Sequence, residues 1–269
     1  MSHRTRLLIV AVVLALVAGT LANLAGVRVV SAQAAGPGRI DLKVLVITGV
    51  GVTPSLGAWT ELLDREGVPF DVFDAGARDL GEADLRSGNR ANYQAVVCTT
   101  ECAGLLDGSE LGLLDAFQAD FGIRRVNAYA WPSAAYGLTP PAYSGDVGGA
   151  KANLTAAGRT VFEYLAGPVA IDDFTYGYYA APLSAADHQV LLEGPGGASL
   201  VGIHQNPAGF EEMVMTIDSN QHQVHSLLLG HGQLNWVTRG TYLGYNRNYF
   251  VTHFDDVFLP DDRWDVDDN

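Results

Sequence analysis

Between Lys43 and Ala130, short uninterrupted apolar runs alternate with segments whose apolar residues recur at helical spacing, and few folds accommodate that alternation. Lys43 to Thr48 (KVLVIT) has no polar residue between its ends and stops at Gly49, as expected of a strand covered on both faces. Leu56, Trp59, Leu62 and Leu63 then share one helical face, and Gly67 with Pro69 ends that helix. Pro69 to Phe73 reads as a second strand, Tyr93 to Cys98 (YQAVVC) as a third and Arg125 to Ala130 as a fourth. Before the fourth, Asp107 and Glu110 stand at capping-box spacing and open a helix with Leu111, Leu114, Phe117 and Phe121 on one side. The series predicts a doubly wound, flavodoxin-like α/β layer.

Beyond Trp131-Pro132 the pattern changes. Ala134 to Gly149 is rich in Gly, Pro, Ser and Tyr, and Leu154 to Leu165 fits a helix begun by Thr155. Strand candidates follow at Val169 to Ile171, Thr175 to Ala181, Val190 to Leu192, Ser199 to His204 and Glu212 to Ile217. The last two flank Asn206-Pro-Ala-Gly209 and read as a hairpin. This β-rich segment, about 134–217, either completes the α/β layer or is inserted into it. Asp218 reads as an N-cap, with Gln221 at the third helical position, for a helix to about Trp236 whose buried stripe is Val224, Leu227, Leu228, His231 and Leu234. Arg239-Gly240 then leads to a strand from Tyr249 to Phe254. The aromatics Trp131, Tyr136, Tyr143, Tyr176, Tyr178 and Tyr179 lie in or beside the β-rich segment. They suit either a face on which sugar rings stack or ordinary strand packing.

The N-terminus carries His3, Arg4 and Arg6, an apolar stretch from Leu7 to about Ala25, and Ala32-Gln-Ala34, the small-x-small arrangement that signal peptidases cut. Residues 1–34 are therefore expected to be a secretory signal peptide, with an uncleaved anchor as the alternative. The mature protein is then secreted or held in the cell envelope, with no membrane partner unless that segment stays uncleaved. Its loss removes Arg4, Arg6 and Arg28 and no acid, so the formal charge moves from −14 to −17. With only Lys43 and Lys151 as lysines, such a body has no continuous basic surface for phosphates, which argues against a nucleic-acid partner. The expected organisation is the signal peptide, an α/β domain over 40–245 containing the β-rich segment, and a further unit beginning at 246.

Several motifs offer chemistry. Cys98 and Cys102 are the only cysteines; in an exported chain they suit a disulfide, and Cys98 as nucleophile is the alternative. The Gly-x-Cys-x-Gly turn that would expose a nucleophile is missing. Gly49-Val-Gly51-Val-Thr-Pro54 approaches a dinucleotide fingerprint, but Pro54 stands where the third glycine belongs, so a plain βα turn is expected. His222, His225 and His231 fall on one predicted helix, with His204 and His253 as further candidates, yet no Glu completes a His-Glu-x-x-His arrangement. Asp265-Val-Asp-Asp-Asn269 has only the opening spacing of a calcium loop.

The last stretch, Tyr249-Phe-Val-Thr-His-Phe-Asp-Asp-Val-Phe-Leu-Pro-Asp-Asp-Arg-Trp264, delivers Asp255 and Asp256 from an apolar run. Adjacent carboxylates at a strand mouth point in different directions, so one can hold a metal while the other takes a proton from the attacking water. Seven aspartates from Asp255 to Asp268 also suit a solvated end, but Phe250, Val251, Phe254, Val257, Phe258, Leu259 and Trp264 are too apolar for that alone. Thr252-His-Phe-Asp-Asp256 resembles the first motif of NodB-type polysaccharide deacetylases. The longer run, with His225-Ser-Leu-Leu-Leu229 and Asn235-Trp-Val-Thr-Arg-Gly240, is more similar to a divergent secreted branch related to the fungal galactosaminogalactan deacetylase. The resemblance is close over about 200–264 and extends to 43–200 only in general layout.

The resemblance implies Asp255 as catalytic base, Asp256 as ligand of a divalent metal, zinc being expected, and an extracellular or cell-wall polysaccharide as partner. It also implies further ligands, histidines of a later motif, and a general acid downstream. Val257 stands where ordinary NodB enzymes have glycine, which fits the divergent branch. The expectation is thus an exported N-terminal portion of a metal-dependent deacetylase of N-acetylated amino sugars, ending on the first strand of a truncated catalytic barrel and inactive alone. The metal is then expected only in a complete enzyme. A secreted, non-catalytic glycan- or protein-binding α/β module is the alternative. An amidotransferase-like enzyme is a third reading, opposed by the missing nucleophile turn.

Overall fold

The computed structural model describes residues 38–49 and 53–245. In chain order, β1 (Arg39–Ile40) and β2 (Val44–Thr48) lead to α1 (Pro54–Glu66) and β3 (Phe70–Asp74). A short excursion, α2 (Glu82–Leu85), β4 (Arg86–Ser87) and β5 (Arg90–Ala91), precedes β6 (Ala95–Cys98). Next come α3 (Cys102–Leu105), α4 (Gly108–Phe121) and β7 (Arg124–Asn127), then β8 (Tyr143–Asp146), β9 (Lys151–Leu154) and α5 (Ala156–Val161). The series closes with β10 (Val169–Ala170), β11 (Tyr176–Tyr179), β12 (His188–Glu193), β13 (Ser199–Gln205), β14 (Glu211–Met215) and α6 (Val224–Val237).

Nine strands form one sheet in the order β10-β9-β12-β13-β14-β7-β6-β2-β3. The five from β14 to β3 are parallel, and the other four continue antiparallel. The expected α/β layer is therefore present; β9, β10, β12, β13 and β14 of the β-rich segment extend its sheet, while β8 and β11 pair as a separate ribbon.

The apolar run of β2 has a two-sided explanation. Val44 and Val46 pack into one core with Trp59, Leu62, Leu63, Leu229 and Leu234, while Leu45 and Ile47 enter a second with Leu114, Phe117 and Ile123. Successive strand residues point to opposite faces, so a strand between two helical layers has no position for a polar side chain. Local chemistry sets the helix ends. The Thr53 hydroxyl accepts the Leu56 N–H, Pro54 opens α1, and Gly67 closes it at φ 73°. Asp107 accepts from the N–H groups of Ser109 and Glu110, and Glu110 accepts the Asp107 N–H at 2.8 Å, completing the expected capping box.

Three expectations are corrected. Leu154 ends a strand rather than starting a helix, because it pairs with Leu192 in the sheet; Thr155 then caps a helix of only six residues. The excursion between β3 and β6, with its small β1-β5-β4 sheet, was not anticipated. Finally, α6 begins at Val224, not after Asp218, whose Oδ1 instead accepts the Tyr176 N–H at 3.0 Å. Asp172 does the capping from afar, its Oδ2 accepting the His225 N–H at 2.9 Å. Val224, Leu227 and Leu228 are exposed, and the buried side carries His225, Leu229, Gly230, Gly232, Leu234 and Val237. Polar and apolar residues are scattered around the helix, with His225 and Gln233 on the buried side, so spacing does not select a face; close approach does. A Cβ at Gly230 would lie 3.1 Å from the Leu62 side chain, and one at Gly232 would meet the Phe162 ring.

Inside the antiparallel half, the His188 ring is fully buried. Its Nδ1 lies 2.8 Å from the Tyr136 carbonyl and its Nε2 2.8 Å from Ser199 Oγ. A neutral ring satisfies both, donating from Nδ1 to the carbonyl and accepting the serine hydroxyl at Nε2. Burial lowers its pKa from the usual 6.5 to about 4. No helix among the described residues is long and apolar enough to cross a membrane.

Two predictions follow from this packing. A Cβ at Gly158 on α5 would overlap the Leu191 carbonyl oxygen, whereas one at Gly112 on α4 meets nothing within 4 Å. In chemical denaturation Gly158→Ala is expected to lose about 2 kcal/mol, and Gly112→Ala to gain about 0.5–1 kcal/mol; equal effects would refute the contact. For His188, the unfolded ring binds its proton near pH 6.5 and the folded ring only near 4, so its stabilising contribution is complete above 6.5 and lost as pH falls toward 4. The total is about 3 kcal/mol. The denaturation midpoint of wild type should therefore fall more steeply than that of His188→Gln over this window, and ring resonances of wild type should report a neutral His188 down to about pH 4.

Candidate functional site

In an open parallel sheet the carboxyl ends of the strands form the natural binding edge, above all where the chain reverses its direction of strand addition. Here β2 lies between β3 and β6, so the reversal falls between β2 and β6. The turn after β6 is closed by a disulfide, Cys98–Cys102, with Cα atoms 5.3 Å apart. Both cysteines are fully buried, which removes Cys98 as a nucleophile. The disulfide expectation holds.

That turn is tied to the neighbouring strands by a buried polar chain. The Cys102 N–H donates to Asn127 Oδ1 at 3.0 Å, and Asn127 Nδ2 donates to Glu212 Oε2 at 2.8 Å. The other Glu212 oxygen meets His204 Nδ1 at 3.0 Å and accepts from Asn206 Nδ2 at 3.1 Å. Burial pushes the Glu212 carboxyl up, but His204, Arg125, Asn127 and Asn206 together outweigh it and hold the pKa below the ordinary value. Glu212 is 1% exposed, so the chain positions the loops above it rather than meeting a ligand.

Above this base stands an aromatic crest. The β11/β8 ribbon lies against the end of β14: the Tyr178 N–H donates to the Thr216 carbonyl at 2.8 Å, and the Asp218 N–H to that of Tyr176 at 2.9 Å. Tyr129, just past β7, stacks on Tyr178 at 5.4 Å between centroids, with hydroxyls 2.9 Å apart. Trp131 meets the same ring edge-on at 4.9 Å, and Tyr176 does so at 6.0 Å. Cross-strand register places Ser144 opposite Tyr178 and Asp146 opposite Tyr176. The Trp131 N–H donates to Glu101 Oε2 at 3.3 Å. Trp131 is 50% and Tyr176 46% exposed, leaving ring area available on a fixed platform. Phe174, two residues before Tyr176, is 91% exposed with a left-handed φ of 62°, uncommon for a bulky residue.

The crest is acidic as well as aromatic. Burial raises the pKa of the half-buried Asp218, and the nearby Asp146 charge adds to the rise despite the Tyr176 N–H and His225. Burial, then the Tyr178 hydroxyl, raises Tyr129.

Of the aromatics singled out from sequence, Trp131, Tyr176 and Tyr178 converge here. Tyr143 and Tyr179 stack at 5.2 Å on the opposite face of the ribbon, and Tyr136 is buried against His204. Tyr129, Glu101 and Asp218 were missed as site residues, although each stands shortly after a strand end, the position such an edge favours. Among the described residues the histidines do not converge: His222 precedes α6 rather than lying on it, His225 pairs with Asp172, His231 with Asn235 and Glu66, and His204 with Glu212. Pro54 is the first residue of α1, which suits the plain βα turn, and residues 50–52 of the glycine motif lie outside the described residues. Asp255, Asp256, His253 and the Asp265–Asn269 spacing also lie outside them, as does 1–34. Among the described residues no group of three or more His, Cys, Asp or Glu is placed to hold a metal ion. By themselves the described residues do not fit a zinc centre.

No family model matches the chain, and no curated protein matches it. Among solved structures, the fold is similar to that of Agd3, a carbohydrate deacetylase, with a TM-score of 0.66 and 20% identity over 78% of this chain and 34% of that one. It is also similar to a ThuA-like protein from Bacteroides uniformis, with a TM-score of 0.53 and 12% identity over 73% of this chain and 91% of that one. This chain spans about a third of the length of the carbohydrate deacetylase. At these identities the likeness concerns the fold alone: a mixed α/β unit with a large central sheet, of the kind found in part of a carbohydrate deacetylase.

Proposed function

We propose that this chain is the α/β portion of an exported polysaccharide deacetylase and that its aromatic crest holds the glycan. One observation carries the reading: a fold similar to part of a carbohydrate deacetylase presents half-exposed Trp131 and Tyr176 on its binding edge. The Thr252-His-Phe-Asp-Asp256 run supports it from sequence. Flat rings present an apolar face to the CH groups of a pyranose, while Ser144, Glu101, Asp146 and Asp218 supply acceptors for its hydroxyls at the rim.

In a complete enzyme of this kind Asp256 would help hold a divalent metal, zinc, which would supply activation of water, and Asp255 would serve as the base. The remaining ligands are histidines in the enzymes it resembles, and residues 1–269 alone are proposed not to turn over substrate. The N-terminal segment would direct export, and the polymer would be an N-acetylated amino-sugar polysaccharide outside the cell. A second reading, a secreted non-catalytic glycan-binding module, is favoured by one fact: the crest residues named here all lie between 101 and 218, within the α/β unit.

Calorimetric titration with soluble amino-sugar oligomers tests both. Trp131→Ala is expected to weaken binding about tenfold with an unchanged unfolding transition; unaltered affinity would remove the crest from the proposal. Release of acetate from an N-acetylated oligomer by purified 1–269 would overturn its inactivity. Glycan binding that survives deletion of 250–269 would favour the module.

A further inference from the structure

The charge around the crest points to a narrower ligand class. Glu101, Asp146 and Asp218 border the four rings of Tyr129, Trp131, Tyr176 and Tyr178. Six of the described basic residues are paired elsewhere: Lys43 to Asp71, Arg78 to Asp84, Arg86 to Glu82 and Asp120, Arg90 to Asp41, Arg124 to Glu211 and Arg125 to Asp115. Lys43, Arg124 and Arg125 stand at the amino ends of β2 and β7, the opposite edge of the sheet. Acids and aromatics thus share one edge while these cations hold the other. Asp218 also faces Tyr129 and His225, the latter with its Nε2 3.3 Å from the Asp218 carbonyl and its Nδ1 bound to Asp172.

We propose that this crest selects sugars carrying a protonated amine, the deacetylated form of an amino-sugar polymer, over the acetylated form. The inference rests on the glycan-binding reading above and adds the sign of the ligand. Aromatic faces attract an ammonium through the ring quadrupole, most strongly for Trp, and neighbouring carboxylates add a direct charge attraction. An acetamide at the same position is neutral and gains neither. Asp146, cross-strand from Tyr176, and Asp218, which accepts the Tyr176 N–H, stand beside the same residue, so a cation arriving there is attracted by both. In the proposed enzyme the α/β unit would retain the product end of the polymer, and partly deacetylated chains would dock better than fresh ones.

Calorimetry of the full 1–269 chain at low salt, with matched glucosamine and N-acetylglucosamine oligomers, decides the matter. The amine form should bind about tenfold tighter, a preference that shrinks as salt is raised. Asp146→Asn with Asp218→Asn should abolish the preference, weakening the amine form about tenfold more than the acetylated form, and Glu101→Gln offers an independent reduction should that pair fail to fold. Equal or tighter binding of the acetylated form overturns this inference and leaves the glycan-binding reading intact. Binding of neither form overturns both. Polylysine bound as tightly as the amino sugar assigns the crest to basic protein segments and overturns the sugar assignment.

Discussion

Burial of both faces of the central parallel strands is the constraint on which the rest depends. Once Val44 and Val46 point into one helical layer and Leu45 and Ile47 into the other, neither face of β2 is available to solvent or ligand. Binding chemistry is left with the strand ends, where side chains escape the two layers. The carboxyl ends of β6, β7 and β14 are where Glu101, Tyr129, Trp131 and Asp218 stand, and the β8/β11 ribbon is placed against them by backbone hydrogen bonds to Thr216 and Asp218.

A second constraint fixes the geometry of that edge. Glu212 is nearly inaccessible to water, and an unpaired carboxylate there would cost several kcal/mol, a typical scale for a buried ion. It therefore gathers Asn127, His204 and Asn206, and through Asn127 it anchors the Cys98–Cys102 turn. The same contacts that satisfy a buried charge hold the loops of β6 and β7 in register. With Cys98 bonded to Cys102, this edge offers no free thiol for covalent attack.

Much of this was legible in the residues, and the limits are physical. KVLVIT, the capping box from Asp107 to Glu110 and the Gly67 stop act within a few residues, and each appears where its chemistry requires. Leu154 misled because a strand followed at once by a capped helix looks, in spacing, like one longer helix. The face of α6 could not be read because Leu227, Leu228 and Leu229 are equally apolar; the glycines that permit contact with Leu62 and Phe162 decided it. Asp218 has the chemistry of an N-cap, but a partner 42 residues away, Tyr176, took its carboxylate.

The amino-acid sequence by itself determined the apolar run of β2, the stop of α1, the capping box of α4 and the acidic balance, because those depend on neighbours along the chain or on composition alone. Only the tertiary structure decided that Trp131, Tyr129, Tyr176 and Tyr178 share one platform, that the histidines disperse, and that Asp172 rather than Asp218 caps α6. Those contacts join residues dozens of positions apart, and they exist only once strand order and register have brought the ends of β6, β7, β11 and β14 to one edge.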